Sequence, residues 1–152
     1  MKAFYTLLAV LVVSISTSFA QSSKQVNWSF TAKKIADKTY EIHMTATINP
    51  EWHMYAQNAG VEGPLPTKFT FTKNPLVNAD GEIKEVGNLI KKNEEMFGGM
   101  VNYYEKKVEF VKVVKVKANV KTALAGKVLF LVCGERECLV PSEIPFTVQI
   151  GG

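Results

Sequence analysis

At 152 residues, with 47% hydrophobic residues and a formal net charge of +4, the chain has the length of one self-supporting domain. Its basic surplus is almost entirely lysine, and Arg136 is the single arginine. A nucleic-acid surface of arginines interleaved with exposed aromatics is therefore excluded, and the lysines between Lys106 and Lys127 read as solvated strand faces.

Lys2, the short apolar run Leu7–Val13 and the small residues of Ser18-Phe19-Ala20 predict a cleavable signal peptide over residues 1–20, cut after Ala20. The run is too short to span a bilayer, and no later stretch approaches about 18 apolar residues, so no membrane insertion is expected after cleavage. No cysteine stands near the cut, which excludes a lipid anchor there. The expected product is one exported domain over residues 21–152.

That domain reads as strands. Val26, Trp28 and Phe30 alternate with polar residues, and Tyr40, Ile42, Met44, Ala46 and Ile48 repeat with a clean period of two. The other face of the second run carries His43, which has no chemical role on this reading. Phe69 and Phe71 mark a short strand. Val108 and Phe110 begin another, but the apolar phase then shifts to Val111, Val113, Val114 and Val116, which predicts a bulge or a change of partner sheet. The continuous run Val128–Val132 suits a central strand buried on both faces. Phe146, Val148 and Ile150 close the chain.

Between these strands lie two long connections, Pro50–Pro66 with Gly60, Gly63 and Pro64, and about Lys91–Asn102 with Gly98-Gly99. Loops of this length in a compact domain tend to carry function. No helical period is evident. The pattern predicts an all-β fold, an immunoglobulin-like two-sheet antiparallel sandwich with two long functional loops.

The distinctive chemistry is Cys133-Gly134-Glu135-Arg136-Glu137-Cys138, two cysteines flanking a four-residue hairpin loop. If they face each other at a non-hydrogen-bonded pair, their Cα atoms stand about 4.5 Å apart, close enough for a disulfide. An exported protein favours the oxidised state. A bridge closing only six residues stabilises the fold by roughly 2 kcal/mol on loop-closure grounds, so a structural staple and an exchanging redox pair are both open on the residues alone.

Trp52-His53-Met54-Tyr55, Gly63-Pro64, Glu94-Glu95-Met96-Phe97-Gly98, Tyr104 and the segment from Cys133 to Pro141 together resemble the N-terminal periplasmic domain of the DsbD thiol:disulfide interchange family. The resemblance implies that Cys133 and Cys138 form a redox centre. It further implies that Glu94, Glu95, Met96, Phe97 and Gly98 form a cap loop over it, and that His53 and Tyr55 line the site. The implied function is to carry reducing equivalents between thioredoxin-fold periplasmic proteins, with no cofactor. The loop between the cysteines is one residue shorter than in the best-known member, and Met96 stands where the cap's main aromatic is expected. Members continue into a membrane domain and a thioredoxin-like domain; this chain ends at Gly152, so its electrons are expected from a separate protein.

Two other functions compete. One is a non-catalytic sandwich for binding or assembly, its disulfide clamping a hairpin. The other is a metal site combining the cysteines with His53 or His43, at a spacing outside the tight zinc-knuckle patterns.

Overall fold

The computed structural model describes residues 22–152. The predicted leader over 1–20 and its cut after Ala20 lie outside the described residues. Among these, twelve strands follow in chain order: β1 (Val26–Ala36), β2 (Thr39–Ile48), β3 (His53–Tyr55), β4 (Lys68–Phe71), β5 (Val77–Asn78), β6 (Lys84–Gly87), β7 (Ile90–Glu94), β8 (Gly99–Glu105), β9 (Lys107–Val116), β10 (Thr122–Phe130), β11 (Val132–Cys133) and β12 (Ser142–Ile150). The helical pieces among the described residues are two 3-10 turns, Ser22–Lys24 and Glu95–Phe97.

All pairings are antiparallel. One sheet has the order β1-β2-β9-β5, with β6 also on β9, and a second has the order β12-β10-β4. They are the two layers of the expected sandwich. The inward residues of β2 (Ile42, Met44, Ala46) and β9 (Val108, Phe110, Val114) share one core with Leu124, Val128 and Phe130 of β10 and Phe146 and Val148 of β12. Aromatic rings knit the layers: Phe30 stacks on Phe146 at 4.5 Å, and Trp28 lies 5.4 Å from Phe130. Such pairs contribute about 0.5–1.5 kcal/mol each beyond their buried area. Gly126, paired with Phe146, leaves room for that ring, since a Cβ there would stand 2.7 Å from its edge.

Neither the predicted bulge nor a change of partner sheet occurs in β9. β9 pairs with β2 in unbroken register from Thr47↔Lys107 to Thr39↔Lys115, and its inward positions are Val108, Phe110, Lys112, Val114 and Val116. Lys112 holds the phase. It is 3% exposed, donates from Nζ to the Gly81 carbonyl at 2.6 Å and lies 5.4 Å from the Phe71 ring centre. Burial lowers its pKa. A lysine can occupy a core position when its stem packs and its amine finds an acceptor, whereas Val111 and Val113 face outward.

Two further expectations change. The stretch from Lys91 to Asn102 is not irregular but a β7–β8 hairpin tipped by the Glu95–Phe97 turn. Val128–Phe130 is central, between β12 and β4, but the run is not buried on both faces, since Leu129 and Leu131 are only partly buried, and it is not one strand: β10 ends at Phe130 and β11 begins at Val132. There the chain enters a third ladder, ordered β11-β3-β8-β7.

Glu85 joins this ladder to the sandwich. Its carboxylate accepts the Gln57 amide at 2.7 Å and the Tyr104 hydroxyl at 2.8 Å, linking β6 to the connection after β3 and to β8. Burial and then this bond drive the Tyr104 phenol well above its usual pKa. A hydrogen bond to a charged acceptor contributes about 2 kcal/mol, so Tyr104→Phe is expected to lose about that much stability. Urea unfolding checks this as a lower midpoint at an unchanged slope.

Candidate functional site

The third ladder builds the site from strands far apart in sequence. β11 sets Cys133 opposite His53, β3 sets His53 opposite Glu105 and Tyr55 opposite Tyr103, and β8 pairs on its other side with β7. Directly paired residues project from the same face of a sheet, so Cys133, His53 and Glu105 form one row.

Cys133 and Cys138 form a disulfide across an antiparallel bridge, with Cα atoms 4.0 Å apart. The loop is closed by the Gly134 amide on the Glu137 carbonyl at 2.8 Å and the Leu139 amide on the Val132 carbonyl at 2.9 Å. The two halves of the bond differ in environment. Cys133 is 2% exposed and packed with Tyr55, Ala59, Val101 and Tyr103, while Cys138 is exposed.

An open cleft of about 1180 Å³ surrounds the pair, and its walls include His53, Tyr55, Glu94, Met96, Phe97 and both cysteines. Most of the residues expected at the site thus meet. Phe97 anchors the hairpin tip in the cluster around Cys133, edge-on to Tyr55 with ring centres 6.2 Å apart. Gly63, with φ of 128°, allows this; a Cβ there would come within 2.8 Å of the Phe97 ring. Gly98 ends the tip in the left-handed region, φ 70°, with its amide on the Glu95 carbonyl at 3.1 Å. Met96 stands at the cleft rim and is 83% exposed. Glu95 is exposed and lies outside the lining, and Glu94 pairs with Lys92 at 2.9 Å.

His43 does not join the cysteines. It sits on β2, against Glu109 at 3.1 Å and Glu41 at 3.3 Å. Among the described residues no cluster of three or more His, Cys, Asp or Glu is placed to hold a metal ion. The cleft also contains Tyr103, Glu105 and Lys92, which sequence reasoning missed. The signal was slight: of the neighbours Tyr103 and Tyr104, alternation sends one to the cleft and one to Glu85, and only strand pairing shows which.

The site favours uncharged proton carriers. Burial pushes the His53 pKa down, against the opposing pull of Glu105 and Glu94. Burial, then Glu94 and Tyr103, push the Tyr55 phenol up to about 12. At neutral pH the cleft therefore presents a neutral imidazole and a protonated phenol beside a buried sulfur.

A model of the family described as thiol:disulfide interchange protein DsbD, N-terminal, matches residues 19–149. The chain belongs to this family. It is a periplasmic domain of the DsbD N-terminal type, with the cysteine pair oxidised to a disulfide. Similar solved structures include the reduced DsbD N-terminal domain of Neisseria meningitidis, at 15% identity over 86% of this chain and 89% of that one, TM-score 0.54. The N-terminal periplasmic domain of ScsB from Proteus mirabilis matches at 15% identity over 82% of this chain and 44% of that one, TM-score 0.50. A complex of the DsbD and PilB N-terminal domains from Neisseria meningitidis matches at 16% identity over 78% and 80%, TM-score 0.48. At 15% identity the likeness to the first two bears on the fold alone. Among curated proteins no sequence match reaches significance.

The depressed His53 pKa has a sign that can be measured. Above its unfolded value of 6.5 both states are neutral; as the pH falls below 6.5 the unfolded chain takes the proton first, and stability drops. The wild type is expected to lose stability as the pH falls below about 6.5, and His53→Gln to lose less over the same fall, as read by denaturant midpoints across pH.

Proposed function

We propose that the domain relays reducing equivalents between thioredoxin-fold partners by thiol–disulfide exchange at Cys133–Cys138, and that Cys138 is the sulfur partners reach. The observation that carries this reading is the asymmetry of the pair, one cysteine sealed among aromatics and the other open in a cleft. A structural staple needs no such cleft, and a bridge closing six residues stabilises the fold by only about 2 kcal/mol.

When the domain is reduced, a partner thiolate attacks Cys138 Sγ, the intramolecular bond breaks, and Cys133 leaves as a thiolate. The partner's second thiol then attacks its own sulfur in the mixed disulfide, releasing Cys138 and leaving the partner oxidised. Donation runs in reverse: Cys138 attacks an acceptor disulfide and Cys133 resolves the intermediate, regenerating the domain's disulfide. His53, opposite Cys133 in the ladder and largely neutral, is suited to take the proton of the Cys133 thiol as it becomes the resolving nucleophile. The segment 94–98 caps the Cys133 side of the pair, with Phe97 as its root and Met96 as the part a partner meets first. The leader over residues 1–20, cut after Ala20, delivers the domain to the periplasm.

The test has two parts. Equilibration with glutathione or dithiothreitol should give a reduction potential between about −120 and −270 mV, the range of exchange proteins; a value well below about −300 mV would mark a bond built to stay closed and sink the relay. Cys133→Ala, which leaves the exposed thiol, should trap a mixed disulfide with an oxidised thioredoxin-fold partner, and Cys138→Ala should trap little. Equal trapping by both variants would remove the assigned order of attack.

A further inference from the structure

We infer that Ser22 is a positioning residue for the redox pair: its buried hydroxyl clamps the two flanks of the cysteine hairpin together and so sets how readily the disulfide is reduced. Ser22 is fully buried. Its Oγ accepts the Val132 amide at 3.1 Å and donates to the Val140 carbonyl at 3.0 Å, and its own amide donates to that carbonyl at 3.1 Å. Val132 immediately precedes Cys133, and Val140 lies two residues beyond Cys138. One side chain from the start of the described chain thus bridges both ends of a hairpin more than a hundred residues away.

The placement matters because the flanks are short. β11 is two residues long, and on the Cys138 side Leu139 is buried with its amide on the Val132 carbonyl, whereas the next residue, Val140, is half exposed and is held through its carbonyl by Ser22. The Ser22–Lys24 turn that presents the hydroxyl is itself secured, with the Gln25 amide on the Ser22 carbonyl at 3.1 Å and the Ser23 amide on Ser142 Oγ at 2.9 Å.

In the oxidised protein the sulfur–sulfur bond already joins the flanks. In the reduced protein only noncovalent ties keep one thiol near the other, so the clamp raises the effective concentration of each sulfur at its partner and favours reclosure. Losing it frees the reduced hairpin more than the oxidised one, which makes the disulfide easier to reduce. The inference deepens the exchange role proposed above and rests on it for its biological use.

The test is the equilibrium of purified protein with glutathione, in which two glutathione thiols reduce the bond to give two cysteine thiols and one glutathione disulfide. No partner protein is needed. Ser22→Ala is expected to shift this constant toward the dithiol by about three- to ten-fold, the scale of one or two lost hydrogen bonds. Ile42→Val, in the sandwich core, should lower stability while leaving the constant at the wild-type value. Amide exchange in the reduced wild type provides a reading free of any variant, with the Val132 amide expected to stay protected. A constant within two-fold of wild type in Ser22→Ala, a parallel shift in Ile42→Val, or a freely exchanging Val132 amide in the reduced wild type would each overturn the clamp. A wild-type disulfide that glutathione cannot reduce would instead overturn the relay, and Ser22→Ala could still be compared with it in dithiothreitol.

Discussion

Everything about the site depends on the chain leaving one sheet for another at Leu131. Phe130 is locked into the sandwich core beside Trp28, and Val132 pairs with Met54 in a different ladder. Both flanking side chains are fully buried, so the crossing is pinned from two directions. Cys133 is then carried, one residue on, to the boundary between core and cleft. Had β10 continued, the cysteines would have ended an ordinary sandwich strand. The break gives the pair its own small apolar cluster and an open side.

The surroundings of the pair are built by elements distant in sequence. The β7–β8 hairpin owes its place to pairing with β3 and to Phe97, which inserts toward Tyr55 over the space left by Gly63. The hairpin's tip is otherwise exposed, and elements with few buried contacts open at low free energy. The hairpin is thus rooted by one aromatic and bare at its end. Behind it, Glu85 ties β6, β8 and the connection after β3 into one support.

The electrostatic setting follows from the same arrangement. Burial dominates the shifts at His53 and Tyr55, and the carboxylates nearby oppose it for the imidazole and reinforce it for the phenol. Both groups are consequently held uncharged near neutral pH. Glu94 is engaged by Lys92, which keeps a positive charge beside an otherwise acidic stretch of the cap. Cysteine exchange alternates between anionic and neutral sulfur, and neutral hydrogen-bonding groups beside a buried sulfur do not commit it to either state.

Much was legible in the sequence because strand periodicity is local. The alternation of β1, β2 and β12 and the cysteine hairpin were visible as residue patterns, since side-chain direction in a strand depends only on position parity, whereas the segment 94–98 was marked only by the family resemblance. The inward Lys112 was not legible, because hydropathy treats a lysine as outward and cannot know that the Gly81 carbonyl waits for its amine. Tertiary structure alone decided which of two cysteines is buried, which of two adjacent tyrosines faces the cleft, that Phe97 and not Met96 packs against the site, and that Ser22 lies under the hairpin. Each of these depends on contacts between segments tens of residues apart. The order of apolar and polar residues determined that a β-sandwich with a cysteine hairpin would form; the pairing of β11 with β3 decided that the hairpin would sit half sealed and half open.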